Sequence, residues 1–403
     1  MRHFWRWAAM ALLLFLSKPP CGRALQGGTP GEKTPASAQL LFGEGQTALQ
    51  RGDLNAAEKA FREVLAADPD SVGAYANLGV VEMRRQRWAE ALAWLQKAQE
   101  LAPEVSGIRL NIGLAYYRQY EFHSAIPAFE SVVRDQPDSV QPRYLLGLCY
   151  FFTDRDADAA RVLEPLWQQE SGQMNYLYVL GVAAGAAGLS DLEKRALTRL
   201  AIVGQDSAEL HLLMGKADLT RLEDTQAITE MNRAAQLDPK LPFVHYYLGV
   251  AYRTRHEFQK AKTEFLDDAA VEPDLAFDYD QLGTVCSVLG EDEDAVRYFR
   301  QALRRDSHLA SSYYGLAKVE ERHGVSAQAL QDLDKAGAID PTSASVHYLR
   351  GQVLQHLGRR DQAQAEFKAA AALQKAVRDR LEQDISGVKP PEPDLAQESQ
   401  QNQ

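Results

Sequence analysis

The stretch "NLGVVEMRRQRWAEALAWLQKA" (Asn77–Ala98) returns 34 residues later as "NIGLAYYRQYEFHSAIPAFESV" (Asn111–Val132). Asn, Gly and Ala recur at identical offsets and large apolar residues fill matching slots, while most charged positions drift. Followed in both directions, the pattern runs from 38 to 377 without an insertion or deletion, as ten repeats: 38–71, 72–105, 106–139, 140–173, 174–207, 208–241, 242–275, 276–309, 310–343 and 344–377. Position 8 is glycine in every repeat but the ninth, where it is Ala317. Position 20 is alanine in every repeat but the fifth, where it is Glu193. Position 24 is always large and apolar, from Phe61 and Leu95 to Phe367, and position 32 is proline in six repeats.

Positions 4, 7, 8 and 11 share one helical face, as do 20, 24 and 27, so each repeat reads as two amphipathic helices. Proline at position 32 bars further helix. A glycine inside a helix costs about 1 kcal/mol against alanine, so a persistent one needs a reason. The glycine at position 8 is expected to face the alanine at position 20 where the two helices of a repeat cross closely.

This pattern resembles the tetratricopeptide repeat, W-x2-L-G-x2-Y, then A-x3-F, then P. Repeat 7 shows it in His245, Leu248, Gly249, Tyr252, Ala261, Phe265 and Pro273. The resemblance implies an all-α solenoid, a right-handed superhelix of ten 34-residue helix-turn-helix repeats. It also implies protein or peptide binding, usually in the concave groove. The carboxylate clamp of family co-chaperones is missing: repeat 1 has Phe42 and Gln46, and repeat 2 has Ala76 and Val80, where Lys and Asn are needed. Of the asparagine ladder at position 6 only Asn77 and Asn111 are present.

Outside the repeats, Arg2 and Arg6 precede the uncharged apolar run Trp7–Leu16, and "SKPPCGRA" ends in small residues. Residues 1–24 therefore read as a secretory signal peptide of the kind bacteria use, too short for a comfortable membrane span. An uncleaved anchor and a lipidated Cys21 are the alternatives. Residues 25–37 are a Gly/Pro-rich linker, 378–384 continue the last helix as a cap, and the Pro- and Gln-rich 385–403 read as a disordered tail. The expected location is outside the cytoplasm, periplasmic or secreted.

With 44 basic against 55 acidic residues the net charge is −11, which gives no footing on nucleic acid. Contact with a membrane is expected only through the signal segment or a partner in an assembly. Catalytic, cofactor and metal sites are not expected. "DRDADA" (Asp154–Ala159) imitates a calcium loop but has Ala159 and Pro165 where Gly and Glu belong. "EDED" (Glu291–Asp294) suits a helix N-terminus. His211, His245 and His347 occupy position 4, the slot of a packed aromatic. Cys149 and Cys286 lie four repeats apart, beyond the reach of a disulfide. Repeat 5, with Glu193 and the glycine-rich "GVAAGAAG", reads as a weak member of the stack, either a hinge or a rigid but poorly matching repeat.

The face of the first helices opposite the core, positions 2, 5, 9 and 12, is apolar in repeats 2–5 and polar in repeats 8–10. If exposed, such a face marks an interaction site. The expected groove comprises Val80, Met83, Arg84, Leu110, Leu114, Tyr117, Arg118, Tyr144, Leu148, Phe151, Tyr178 and Tyr246, with the two arginines as anchors for an acidic group. The expected function is a scaffold binding a protein or peptide in that groove. The alternatives are a structural subunit of an envelope secretion or polysaccharide-export assembly, and a regulatory subunit of an enzyme.

Overall fold

A computed structural model describes the backbone of residues 36–386 and the side-chain surroundings of 37–379; the signal segment, most of the linker and most of the tail expected above lie outside the described residues. Helices account for nearly all of the described chain, and there is no strand among the described residues. Contacts divide the chain into two compact units, the first ending at Leu241 and the second starting at Pro242. In the N-terminal unit the helix pairs are Ala36–Arg51 with Leu54–Ala67, Val72–Arg84 with Trp88–Leu101, and Ser106–Arg118 with Phe122–Asp135. They continue with Val140–Phe152 and Asp156–Leu163, Met174–Ala186 and Ser190–Gly204, and Ala208–Thr220 and Asp224–Leu237. The C-terminal unit pairs Val244–Thr254 with Phe258–Val271, Ala276–Leu289 with Asp292–Arg305, Ala310–Arg322 with Ser326–Ile339, and Ala344–His356 with Arg360–Ser386.

Helix ends follow from local chemistry. In all ten repeats position 15 has a positive φ, and the N–H of position 16 donates to the carbonyl of position 11 at 2.8–3.0 Å. This is the left-handed cap that satisfies the last carbonyls of a helix. Glycine takes position 15 in five repeats; Gln86, Tyr120, Asp154, Leu222 and His256 take it in the others, at φ 58–63°. Repeat 10 has Lys375 where others have proline, and its second helix runs on to Ser386. In repeat 4, Pro165 interrupts the second helix, which breaks into a 3-10 turn (Glu164–Leu166) and the short helix Trp167–Glu170.

The glycine column has a different partner from the one expected. A Cβ added to the glycine at position 8 would land 2.4–2.8 Å from the position-24 side chain of its own repeat, Gly113 against Phe129 and Gly249 against Phe265 for instance. The absence of a side chain at position 8 thus makes room for the large residue at 24, more than for a bare crossing against the alanine at position 20. Phe61, Leu95, Phe129 and Phe265 are wholly buried in these seats, each contributing about 1.5–3 kcal/mol of burial.

Repeat 5 forms two ordinary helices, and the division of the chain falls later, between Leu241 and Pro242. Its extra glycine has a steric purpose: a Cβ on Gly185 would sit 2.7 Å from Glu193 Oε1. The Glu193 carboxylate pairs onward with Arg221 at 3.3 Å.

Candidate interaction surface

The face expected to be an open groove is largely packing. In the N-terminal unit Val80, Met83, Leu114, Tyr117, Leu148, Phe151 and Tyr178 are at most 2% exposed, and in the C-terminal unit Tyr246 is 3% exposed. The reason is the spacing between first helices of consecutive repeats, whose side chains at positions 5, 9 and 12 close over one another. Phe151 of repeat 4 meets Tyr178 of repeat 5 edge-on at 6.4 Å between ring centroids. Tyr117 packs edge-on against Phe122 at 5.4 Å, and Phe122 stacks on Phe152 at 4.7 Å. Tyr246 touches the rings of Tyr247 and Phe265 at 5.4 and 5.7 Å. The Phe151–Tyr178 and Phe122–Phe152 contacts join repeat to repeat, while those of Tyr117 and Tyr246 close the inside of their own repeats.

The arginines are also committed. Arg84 is half-buried and donates from Nη1 to the Leu49 carbonyl of the preceding repeat's first helix. Arg322, at the same repeat position, makes the same contact to the Ser287 carbonyl at 3.3 Å. Position 13 therefore closes the C-terminal end of the neighbouring helix, where a cation is favourable. Arg118 shares that position and is half-buried.

What stays accessible on this face is narrower. Leu110 and Tyr144 are half-buried in the N-terminal unit, Tyr144 lying 6.5 Å from the ring of Tyr176. In the C-terminal unit Tyr314 is half-buried, Tyr348 is 51% exposed with Phe367 behind its ring at 5.6 Å, and Lys318 and Gln355 are open.

One residue of the face was missed. Lys216, at position 9 of repeat 6, is buried with its Nζ 4.9 Å from the centre of the Tyr178 ring. Burial brings its ammonium down to about 7. Four earlier repeats carry Val80, Leu114, Leu148 and Val182 at that position, so a lysine in an apolar column was the available signal.

The histidines at position 4 are structural, though not as packed rings. His211, His245 and His347 each place Nδ1 against the glutamate 19 residues later, at 2.6, 2.8 and 2.7 Å, and so tie the two helices of their repeat together. Two clusters have the spacing of metal ligands: His245, Glu264 and Asp267, and Cys286, Glu291 and Asp294. The first contains the pair that recurs in two other repeats, with Asp206 or Arg350 as the additional partner there. In the second, Lys262 already pairs with Glu291. Cys149 and Cys286 are buried free thiols whose pKa burial raises, which makes them poor nucleophiles. No helix among the described residues is long and apolar enough to cross a membrane.

Comparison with known proteins agrees with the repeat geometry. A family model described as tetratricopeptide repeat matches residues 42–106, 110–169 and 289–344, and a second of the same description matches 344–376. The protein CTR9 homolog of Arabidopsis thaliana is 35% identical over 107 residues, covering 26% of this chain and 10% of that protein. The cellulose synthase operon protein C of Xanthomonas axonopodis pv. citri is 35% identical over 118 residues, covering 24% of this chain and 8% of that protein. The chain thus spans about a tenth of the length of these relatives. Among solved structures, the APC/C hetero-tetramer Cut9-Hcn1 is similar with a TM-score of 0.48 and 12% identity, over 92% of this chain and 78% of that one. Proteins built of these repeats are generally interaction scaffolds that bind protein or peptide partners and are usually not enzymes. The matched segments take in just over half of the sequence and span both compact units, and the chain is a member of the tetratricopeptide repeat family.

Proposed function

We propose that this chain is an exported scaffold that binds a segment of a partner protein along the first-helix faces of its repeats. The observation that carries the reading is the set of position-5 tyrosines that keep accessible surface: Tyr144 in the N-terminal unit, and Tyr314 and Tyr348 in the C-terminal unit. A tyrosine offers a large apolar area with a polar tip at low entropic cost, the usual anchor of an interface. Leu110 keeps partial exposure in the same unit as Tyr144, and Lys318 is exposed in the same unit as Tyr348. The packed members Tyr117, Phe151 and Tyr178 are buried in the same unit as Tyr144. The test is capture of partners from the native host by mature protein carrying Tyr144→Ala or Tyr348→Ala. Loss of one specific partner with helix content intact supports the reading; full capture by both variants, separately and combined, refutes it.

Export rests on Arg2, Arg6 and the apolar run that follows. The mature protein should begin near Leu25, and an intact Met1 in a cytosolic fraction would count against it. A structural subunit of an envelope assembly is the second reading. It is favoured by the match to a protein named for a cellulose synthase operon, and stable, stoichiometric co-purification would distinguish it from transient capture.

A further inference from the structure

The joint between repeats 7 and 8, inside the C-terminal unit, breaks the repeat pattern at two matched places. Position 27 of the second helix is Ala, Val or Leu in nine repeats and Asp268 in repeat 7. Position 3 of the first helix carries no charged residue in any repeat except the eighth, where it is Asp278. The fold places these two departures against each other: the carboxyl groups are within hydrogen-bond reach, and both side chains are 0% exposed. An apolar contact has been replaced, on both sides at once, by two acids.

As two carboxylates this pair would be untenable. Asp268 Oδ1 accepts from the backbone N–H of Tyr246 at 3.0 Å. Asp268 Oδ2 and both oxygens of Asp278 have no donor. Three acceptors without donors, on two like charges in a contact closed to solvent, would cost far more than a repeat joint can supply. A single proton between the two groups removes the difficulty, since it supplies one donor and cancels one charge. Tyr246 is the third residue of the helix Val244–Thr254, so its N–H is one of the unpaired donors at a helix N-terminus. That end favours negative charge, which leaves Asp268 as the carboxylate and Asp278 as the acid.

We propose that Asp268 and Asp278 form a one-proton latch across the joint between repeats 7 and 8, closed while Asp278 donates its O–H to Asp268 and loosened when that proton leaves to water. The neighbouring groups act on it as follows. From repeat 7, His245 lies near Asp268 and favours its charge, Glu272 disfavours charge on both acids, and the Tyr246 phenol lies near Asp278. Asp280 of repeat 8 is held separately by the Ser311 and Ser312 hydroxyls of repeat 9 at 3.0 and 2.6 Å, with Arg253 of repeat 7 nearby. No cation is paired with Asp278 among the described residues. Burial raises both pKa values above the ordinary 3.8; the neighbouring Asp268 raises Asp278 further, while the Tyr246 N–H and the hydrogen bond from Asp278 hold Asp268 back. A raised folded-state pKa contributes stability that is complete below the unfolded value and declines as pH rises through the folded one. The latch therefore tightens as the surroundings acidify and slackens towards alkaline pH, the opposite of an ordinary salt-bridged aspartate.

The test compares full-length wild type with Asp278→Asn, whose amide donates to Asp268 as the protonated acid does but cannot lose a proton. The infrared difference spectrum at neutral pH should show one protonated carboxyl carbonyl in wild type that the variant lacks. Hydrogen exchange at the Tyr246 amide, corrected for intrinsic rates, should lose about tenfold or more in protection between about pH 5 and pH 8 in wild type and stay nearly level in the variant. Identical carboxyl spectra, or equal pH profiles, overturn the latch. Should Asp278→Asn fail to fold, wild type alone decides: absence of any protonated carboxyl band at neutral pH overturns the proposal, and its loss on titration to alkaline pH, together with Tyr246 protection, supports it.

Discussion

The same 34-residue lattice is filled in two ways in the two units. In the N-terminal unit the faces between successive first helices are closed by rings and aliphatic chains, Leu114, Tyr117, Leu148, Phe151 and Tyr178, all essentially without solvent contact. In the C-terminal unit the packing around repeats 7 to 9 includes Asp268, Asp278, Asp280, Gln281 and Ser312, equally buried but polar. At these buried places the chemistry is a property of the occupant. An apolar occupant is indifferent to pH and fails by leaving a cavity. A polar occupant is sensitive to protonation and fails by losing a donor. The two units should therefore respond to different insults.

The largest effect is expected from cavity formation in the ring-filled unit. Tyr117→Ala should cost about 3–5 kcal/mol, in the range for deleting a buried aromatic, whereas Tyr348→Ala in the C-terminal unit, half out in solvent, should cost under about 1 kcal/mol. Equal melting shifts for the two would erase the distinction between packed and open positions of this face. Next comes overpacking, to which both units should be equally vulnerable because the glycine column is common to them. Gly249→Leu drives a side chain into Phe265, whose Cε1 is 2.7 Å from the would-be Cβ, and should cost about 1–3 kcal/mol or more. Gln259→Leu on the exposed surface is the control, and a comparable loss there would contradict the repeat register.

Histidine pairing gives a smaller, pH-dependent effect in both units. Burial opposes protonation of His211, but its hydrogen bonds to Glu230 and Asp206 outweigh it and raise the pKa above 6.5. The Glu264 hydrogen bond does the same for His245 against a smaller burial effect. Their contribution is complete below about 6.5 and is lost as pH rises through the raised values. His211→Gln should flatten the N-terminal unit's loss of stability between about pH 6 and pH 8, by less than about 1 kcal/mol. An unchanged profile would assign that loss elsewhere. The smallest effect should be a gain. Leu222 holds φ 63° and is 74% exposed, so it carries backbone strain with no packing in return. Leu222→Gly relieves about 1–2 kcal/mol of that strain and returns part of it as chain entropy, for a net stabilisation of about 0.5–1 kcal/mol in thermal melts. Destabilisation would show that the leucine makes a contact worth more than its strain.

Much of the fold was legible because small and large residues recur at one phase. Position 24 needs a seat, position 8 supplies it, and any reader of Gly113 and Phe129 can count the interval. The left-handed cap was half legible: Gly52, Gly188, Gly290, Gly324 and Gly358 announce it, but Gln86 and Leu222 at the same turn do not. The candidate face was legible as a pattern and misread in its exposure. Helical periodicity reports which side of its own helix a residue occupies. It is silent on what the next repeat brings to that side, and Tyr178 is hidden by Phe151 of the repeat before.

From the amino-acid order alone came the all-α architecture, the 34-residue period, and the depletion of charge along one face of the early repeats, since each is a one-dimensional regularity. The partner of each glycine, the capping role of Arg84, the burial of Lys216 and the meeting of Asp268 with Asp278 were decided only when the helices packed. These are contacts between residues on different helices, where distance depends on how side chains interlock and no local spacing encodes it.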